Sequence, residues 1–284
     1  MVKVISEIGC NHKGDLNIAK ELIRASKNCG AFAAKFQKRN NKQLLNKTEY
    51  NRPHPEPWNS YGETYGLHRD ALEFSIAQHK ELKEFCEDIG IIYSSSVWDT
   101  DSAIEISALC PKFIKIPSAI NLNFEMQKYL TENFKGKIHI SVGMTTELEL
   151  KQIIDFYKTK KRIDDLVIYC CTSGYPVDVK DICLLEIKKL QEATIGTKAE
   201  VGFSGHHLGI SPDIAAVTLG AKWIERHFTL DRTWKGTDHA ASLEPDGLRR
   251  LCRDITNIQK ALTYKASEIL PIEQIQRNKL KKFV

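Results

Sequence analysis

A chain of 284 residues, 42% of them hydrophobic, is long enough to bury one large core or two small ones. The net charge of +5 is mild and spread along the chain, and basic residues are not interleaved with aromatics, which argues against a nucleic-acid partner but leaves room for small anionic substrates. No run approaches the roughly 18 apolar residues of a membrane span. In chain order, short β-branched runs alternate with helical periodicity. "KVISEI" (3–8) is followed by the helical "LNIAKELIRASKN" (16–28), "AAKFQ" (33–37), the helical "ALEFSIAQHKELKEFCEDI" (71–89) and "GIIYSSS" (90–96). Then come "KFIKIPS" (112–118), "KIHISVG" (137–143), "LVIYCCT" (166–172), the helical "LLEIKKLQEA" (184–193), "EVGFSG" (200–205) and "KWIERHF" (222–228). Eight such units predict an all-parallel α/β structure, and a single-domain (β/α)8 TIM barrel over residues 1–284 in preference to an open doubly wound sheet. No GxGxxG follows the first strand, which weakens the open-sheet alternative.

The eight cysteines form no CxxC pair, and most sit among apolar residues, so they read as reduced, buried thiols. The N-terminal "MVKVISEIG" enters a strand directly and offers no signal-peptide core. Both features fit a cytoplasmic protein.

In a barrel of this kind the site lies at the C-terminal ends of the strands. There the runs carry Glu7, then Lys35 and Gln37, Ser94 to Ser96, Lys115 and Ser118, Ser141, Thr172 and Ser173, Ser204 and His206, and finally Glu225 and His227. Core packing does not account for polar groups collecting at one end of nearly every strand. Residues 40–68, between the second strand and its helix, form an abnormally long connection rich in Pro, Gly, Asn and aromatics. Such a loop is usually a lid or binding loop. Trp58, Tyr61 and Tyr65 suggest something packed, and Arg52, His54, Glu63 and His68 offer hydroxyl or phosphate contacts. The loop is expected to fold over the strand ends of its own or a neighbouring subunit in a homo-oligomer.

His206 and His227 end adjacent strands. Neighbouring strands lie about 4.8 Å apart, so the two imidazoles can share one ion such as Zn, Mn, Fe or Co. The plain alternative is a hydrogen-bonded pair without metal, and His207 rivals His206 on register alone. Lys35 and Lys115 lie inside apolar strands and need solvent, a carboxylate or an anionic ligand. With Ser96, Ser118 and Ser141 they suit a substrate carrying phosphate and carboxylate groups. The alternatives are a Schiff-base lysine and an ion pair with Glu7. After the last strand, Asp238 is placed either to orient a metal-bound water or as an Asx-turn residue, and Ser242 as the N-cap of a helix starting near Glu244.

"EIGCNHKGD", "AAKFQ", "FIKIPSA", "SVGMTT", "CTSGYP", "GFSGHHLG" and "WIERHFTLDRTWKGTDHAASL" occur in that order, and together they resemble the sialic acid synthase family of N-acetylneuraminate and related nonulosonate synthases. The resemblance runs from about residue 3 to 262. It implies a (β/α)8 barrel that condenses phosphoenolpyruvate with an open-chain hexose (N-acetylmannosamine, mannose or a 6-phosphate) and releases phosphate, using a divalent metal, commonly Mn2+, with Mg2+ or Co2+ as substitutes. It implies His206 and His227 as metal ligands. It implies Lys35, Ser96, Lys115, Ser118, Ser141, Ser173 and Ser204 as the phosphoenolpyruvate site, with Glu7, Gln37, Tyr175 and Asp238 near the acceptor and the metal-bound water. Three departures stand out. Ile120 occupies a place where many relatives carry an acidic residue and is expected to line a less polar acceptor wall. Ser173 replaces an asparagine of some relatives. Many relatives continue into a small antifreeze-like domain, whereas this chain is expected to end as a bare barrel at Val284. Related octulosonate or heptulosonate phosphate synthases, and a catalytically inactive sugar-binding barrel, are the competing readings.

Overall fold

A computed structural model describes residues 1–282. Eight strands, β1 (Lys3–Gly9), β2 (Ala33–Lys38), β3 (Ile92–Val97), β4 (Phe113–Ile116), β5 (Lys137–Ser141), β6 (Leu166–Cys171), β7 (Glu200–Gly205) and β8 (Trp223–His227), pair in sequence order. They are parallel, and β8 closes on β1 to complete the barrel. Around them run α1 (Leu16–Asn28), α2 (Asn41–Leu44), α3 (Lys47–Asn51), α4 (Tyr65–Ala71), α5 (Ile76–Ile89) and α6 (Thr100–Ala108). The series continues with α7 (Phe124–Asn133), α8 (Glu147–Thr159), α9 (Glu186–Ala193), α10 (Ser211–Thr218), α11 (Pro245–Ala261) and α12 (Pro271–Leu280). The expected (β/α)8 barrel is the observed fold. The last two residues of the expected single domain, 283 and 284, lie outside the described residues.

Strand periodicity of two divides the core into an outer and an inner part. Outward positions such as Ile8, Ala34, Phe36, Ile114, Ile116, Ile138, Ile140 and Ile224 pack with the helices in one large apolar cluster. Inward positions Ile5, Ala33, Phe113, Val167, Tyr169 and Trp223 form a separate plug inside the barrel. His139 completes the plug, stacked on Phe113 with ring centroids 4.2 Å apart and bonded to the Tyr169 hydroxyl at 2.9 Å. Two residues further along each strand the inward side chains become Glu7, Lys35, Lys115, Cys171, Ser204 and Glu225. The apolar plug is therefore the floor on which the polar cavity stands.

The connection over residues 40–68 is ordered where a loop was expected. Asn40, Asn46 and Thr64 cap α2, α3 and α4 with side-chain oxygens on backbone N–H groups. The expected helix over 71–89 is broken: α4 ends at Ala71, and α5 starts at Ile76 behind a capping box of Ser75 and Gln78. Continuous apolar spacing through Leu72 and Phe74 masked that start signal. Ser242 is not the expected N-cap, because its hydroxyl donates to the Asp238 carbonyl and accepts from Asn11, while Glu244 fills the cap position of α11. All eight cysteines are free, but only Cys29, Cys86, Cys170 and Cys252 are buried as expected; Cys10 and Cys171 are half-buried, and Cys110 and Cys183 are exposed. Trp58, expected to be packed, is exposed too.

Candidate active site

The mouth of the barrel holds a cavity of about 310 Å³. Its floor is an ion-pair chain. Lys35 pairs with Glu7 and lies 3.6 Å from Glu225, and Lys115 pairs with the other oxygen of Glu225. All four side chains are buried. Lys35 Nζ also donates to Ser96 Oγ at 2.7 Å, and Ser204 Oγ donates to Glu225 Oε1 at 3.2 Å. The two carboxylates are not equivalent. Burial raises the Glu7 carboxyl, and the neighbouring Glu225 charge adds to this against the opposing pull of Lys35. Burial also works to raise Glu225, but Lys115 and Lys35 together outweigh it and hold that carboxylate ionised, well below the usual range. Burial thus works against the charge on Glu7, whereas the two lysines secure the charge on Glu225.

Above the floor, Ser118, Ser141 and Ser173 come from three successive strand ends. Gly143 lets them converge: a Cβ there would lie 2.5 Å from Ser173 Oγ and 2.9 Å from Ser118 Oγ. Its backbone N–H donates to Ser118 Oγ, and Ser141 Oγ is buried without a partner among the described residues. Two lysines, a ring of hydroxyls and a backbone N–H form a cradle suited to an anion bearing more than one charged group.

His206 and His227 face each other with ring centroids 5.5 Å apart, and the Tyr175 ring lies 4.3 Å from that of His206. His206 Nδ1 donates to the Thr172 carbonyl at 2.9 Å, which leaves the Nε2 lone pair free. His227 Nδ1 is buried without a hydrogen-bond partner among the described residues and lies 3.7 Å from Asp238. Burial tends to raise the Asp238 carboxyl, but the charges of His227 and Arg39 prevail and keep it low. No cluster of three metal-ligating side chains exists among the described residues. A two-imidazole site with its other positions open suits a divalent cation that also contacts substrate and water, so the residues fit a catalytic metal in preference to a structural one.

Every site residue expected from the sequence lines this cavity except Asp238, which lies in an adjoining one of about 390 Å³. The two cavities share Gln37, Trp98, Tyr175 and His227. The second is walled by the ordered 40–68 connection through His54, Tyr65 and His68. This connection is tied to the loop after β8 by Tyr61, whose hydroxyl donates to the Lys235 carbonyl, and by Asn59 Oδ1, which accepts from Gly236 N–H at 3.2 Å. The connection therefore covers the strand ends of its own chain. Arg52 and Glu63 are exposed and line neither cavity; Arg52 lies over the Tyr65 ring at 4.6 Å. Ile120 does not wall the acceptor side as expected, because it packs against the outer core while Ala119 faces the cavity. Sequence reading placed Glu225 at the barrel mouth with the other strand-end residues but gave it no role; it stands two positions before His227, shares its inward face and pairs with both lysines. The same reading missed Arg39, Arg69 and Trp98. These reach the site by folding of the connections, and no motif marks them.

Residues 22–267 match the model of the NeuB family. The chain belongs to that family. It is 38% identical over 281 residues to human N-acetylneuraminate-9-phosphate synthase, covering 99% of this chain and 77% of that protein. It is 35% identical over 260 residues to the N,N'-diacetyllegionaminic acid synthase of Campylobacter jejuni, covering 91% of this chain and 77% of that one. The fold superimposes on the N-acetylneuraminic acid synthetase of Leptospira borgpetersenii with a TM-score of 0.82 at 27% identity, over 99% of this chain and 93% of that structure. These NeuB-family relatives are sugar acid synthases, and this chain is a biosynthetic enzyme of their kind. Among the described residues, no helix is long and apolar enough to cross a membrane.

Proposed function

We propose that this protein condenses phosphoenolpyruvate with an open-chain hexose to give a nine-carbon 3-deoxy-2-keto sugar acid and phosphate. The observation that carries this reading is the joined pair of cavities. One is built for a compact polyanion over Lys35 and Lys115, and the other is lined by polar and aromatic groups, with Gln37, Tyr175 and His227 at their junction. The donor occupies the first, with its phosphate and carboxylate against the lysines and the serine ring. The acceptor occupies the second, with its aldehyde at the junction. Confinement in this geometry aligns C3 of the donor with the aldehyde carbon.

The new bond joins C3 to that carbon, and the aldehyde oxygen becomes a hydroxyl by gaining a proton. Water adds at C2 and gives up one proton; as the C2–O bond to phosphate breaks, the new C2 hydroxyl loses its remaining proton to become the ketone, and the departing phosphate takes up one proton. Glu7, raised by burial and accepting from Gln37 Nε2 at 3.1 Å, is placed to exchange the proton at the aldehyde oxygen. Glu225 stays ionised and holds both lysines in place. A divalent cation, Mn2+ in the first instance and Mg2+ or Co2+ as substitutes, would be held by His206 and His227 and would supply Lewis-acid polarisation of oxygen. Asp238, beside His227, orients the water.

Phosphate release from phosphoenolpyruvate with a panel of hexoses, read with product mass, tests the reading. No release with any hexose would overturn it in favour of a sugar-binding barrel. Trapping of a borohydride-stable lysine adduct would replace it with aldolase chemistry. We also propose a cytoplasmic homo-oligomer. The free thiols support the compartment, and exposed Ile272, Ile275 and Leu280 on α12 support self-association. A monomer mass by light scattering would refute the latter.

A further inference from the structure

We infer that Asn11 and Ser242 are positioning residues of the active site: the Asn11 amide, acting through the Ser242 hydroxyl, holds the main chain of Asp238 and so keeps its carboxylate beside His227. This rests on the function proposed above in taking His227 as a metal ligand and Asp238 as its neighbour. Asn11 lies in the turn after β1, 231 residues from Ser242 in the chain, and both side chains are buried. Asn11 Nδ2 donates to the Phe228 carbonyl and to Ser242 Oγ, each at 2.9 Å. Ser242 Oγ donates to the Asp238 carbonyl at 2.7 Å. The direction of this relay is forced. A carbonyl only accepts, so the single hydroxyl proton of Ser242 goes to Asp238, and its oxygen must accept from Asn11. Both protons of the Asn11 amide are thereby used.

The relay is not what closes the loop after β8. Residues 229–242 leave and return through a neck made by the Phe228–Leu243 bridge. There Leu243 N–H donates to the His227 carbonyl at 2.8 Å, Thr229 N–H to the Leu243 carbonyl at 3.0 Å, and Phe228 N–H to the Glu7 carbonyl at 2.8 Å. Removing the Ser242 hydroxyl spares all three bonds and releases the hold on Asp238. Little else aims that side chain. Among the described residues, the only hydrogen bond to its carboxylate comes from Thr237 Oγ1 at 3.1 Å, and Thr237 is exposed. The carboxylate stands 3.7 Å from His227 Nδ1, which is buried with no hydrogen-bond partner among the described residues. At that separation, small displacements of the Asp238 main chain decide whether carboxylate and imidazole can bond. A carboxylate beside a ligating imidazole fixes its tautomer and ring orientation. The relay therefore acts on the histidine end of the site and not on the lysine end, whose cavity neither Asn11 nor Ser242 lines.

The test is a cycle of Mn2+ affinities, read from the electron paramagnetic resonance signal of the free ion with no substrate present. Ser242→Ala, Asn11→Ala and Asp238→Ala should each weaken Mn2+ binding by about tenfold, while phosphoenolpyruvate affinity at saturating Mn2+ stays within about twofold. In an Asp238→Ala background, Ser242→Ala should add less than about twofold, because the relay acts only through Asp238. Ser242→Ala decides the matter by itself should Asn11→Ala fail to fold. Unchanged Mn2+ affinity in Ser242→Ala would overturn the inference. Additive losses in the double variant would overturn it too, as would an equal loss of phosphoenolpyruvate affinity, since either would mean a general loosening of the fold. Failure of the unmodified protein to bind Mn2+ would overturn both this inference and the metal assignment above. Phosphate release is scored separately. Its absence with every hexose would defeat the condensation reading, while the Mn2+ cycle would still decide the role of Asn11 and Ser242.

Discussion

At the scale of single residues, the site balances four buried charges. Lys35 and Lys115 stand where an apolar strand would otherwise continue, and each is matched by a carboxylate from another strand. Breaking a buried ion pair by removing one partner costs about 3–5 kcal/mol, because the other charge is left uncompensated. Glu225→Gln should therefore lower stability in urea by about 3 kcal/mol without weakening phosphoenolpyruvate binding, since the donor's own charge replaces the lost carboxylate. Lys115→Met should do the reverse at the donor, weakening phosphoenolpyruvate by about tenfold or more. If both substitutions weakened the donor equally, the lysines would not be its anchor. At the rim, His227→Ala or a chelator should abolish turnover, with activity restored to the unmodified protein by Mn2+, Co2+ or Mg2+. Full activity of His227→Ala would remove the metal from the mechanism.

At the scale of elements, β8 shows how one strand serves two structures. Trp223 joins the plug, Glu225 and His227 enter the cavity, and Arg226 between them points outward. Fully buried, Arg226 binds Asp213 at 2.5 Å and the Gly209 carbonyl at 2.8 Å, and it also contacts the His207 carbonyl. It thereby fixes the segment after β7 on which His206 sits. This explains why His207, adjacent in sequence, is structural: its imidazole faces Asp213 and Arg226 and is fully buried. Asp213→Ala should cost about 3–5 kcal/mol in urea denaturation by stranding the Arg226 charge. A loss below about 1 kcal/mol, the value of an exposed pair, would contradict that account. The connection ahead of α5 makes a different kind of contribution. Deleting residues between Pro53 and Gly66 removes His54, Tyr65 and the Tyr61 contact to the β8 loop. Acceptor KM should rise far more than donor KM, with metal content unchanged. An unaltered acceptor KM would reduce the connection to a surface excursion.

For the molecule as a whole, the sequence by itself determined the barrel, the order of its strands and the strand-end positions of the lysines, serines and histidines. Each of those signals is local: period two within a strand, a helical repeat between strands, a polar residue at the close of an apolar run. Glu225 belongs to that set, in phase with His227, but its pairing with the lysines does not. Tertiary structure alone decided what each charge meets. Lys115 and Glu225 are 110 residues apart in the chain, and only closure of the barrel brings them into one ion pair. The cavity shared by Arg69, Trp98 and Asp238 depends in the same way on how three separate connections fold over one rim. The outward turn of Ile120 into the core likewise follows from the short helical turn after β4 and not from its neighbours in sequence. Local backbone preference sets which way a side chain leaves a strand. Its partner is set by the packing of elements distant in sequence, and no spacing along the chain encodes that.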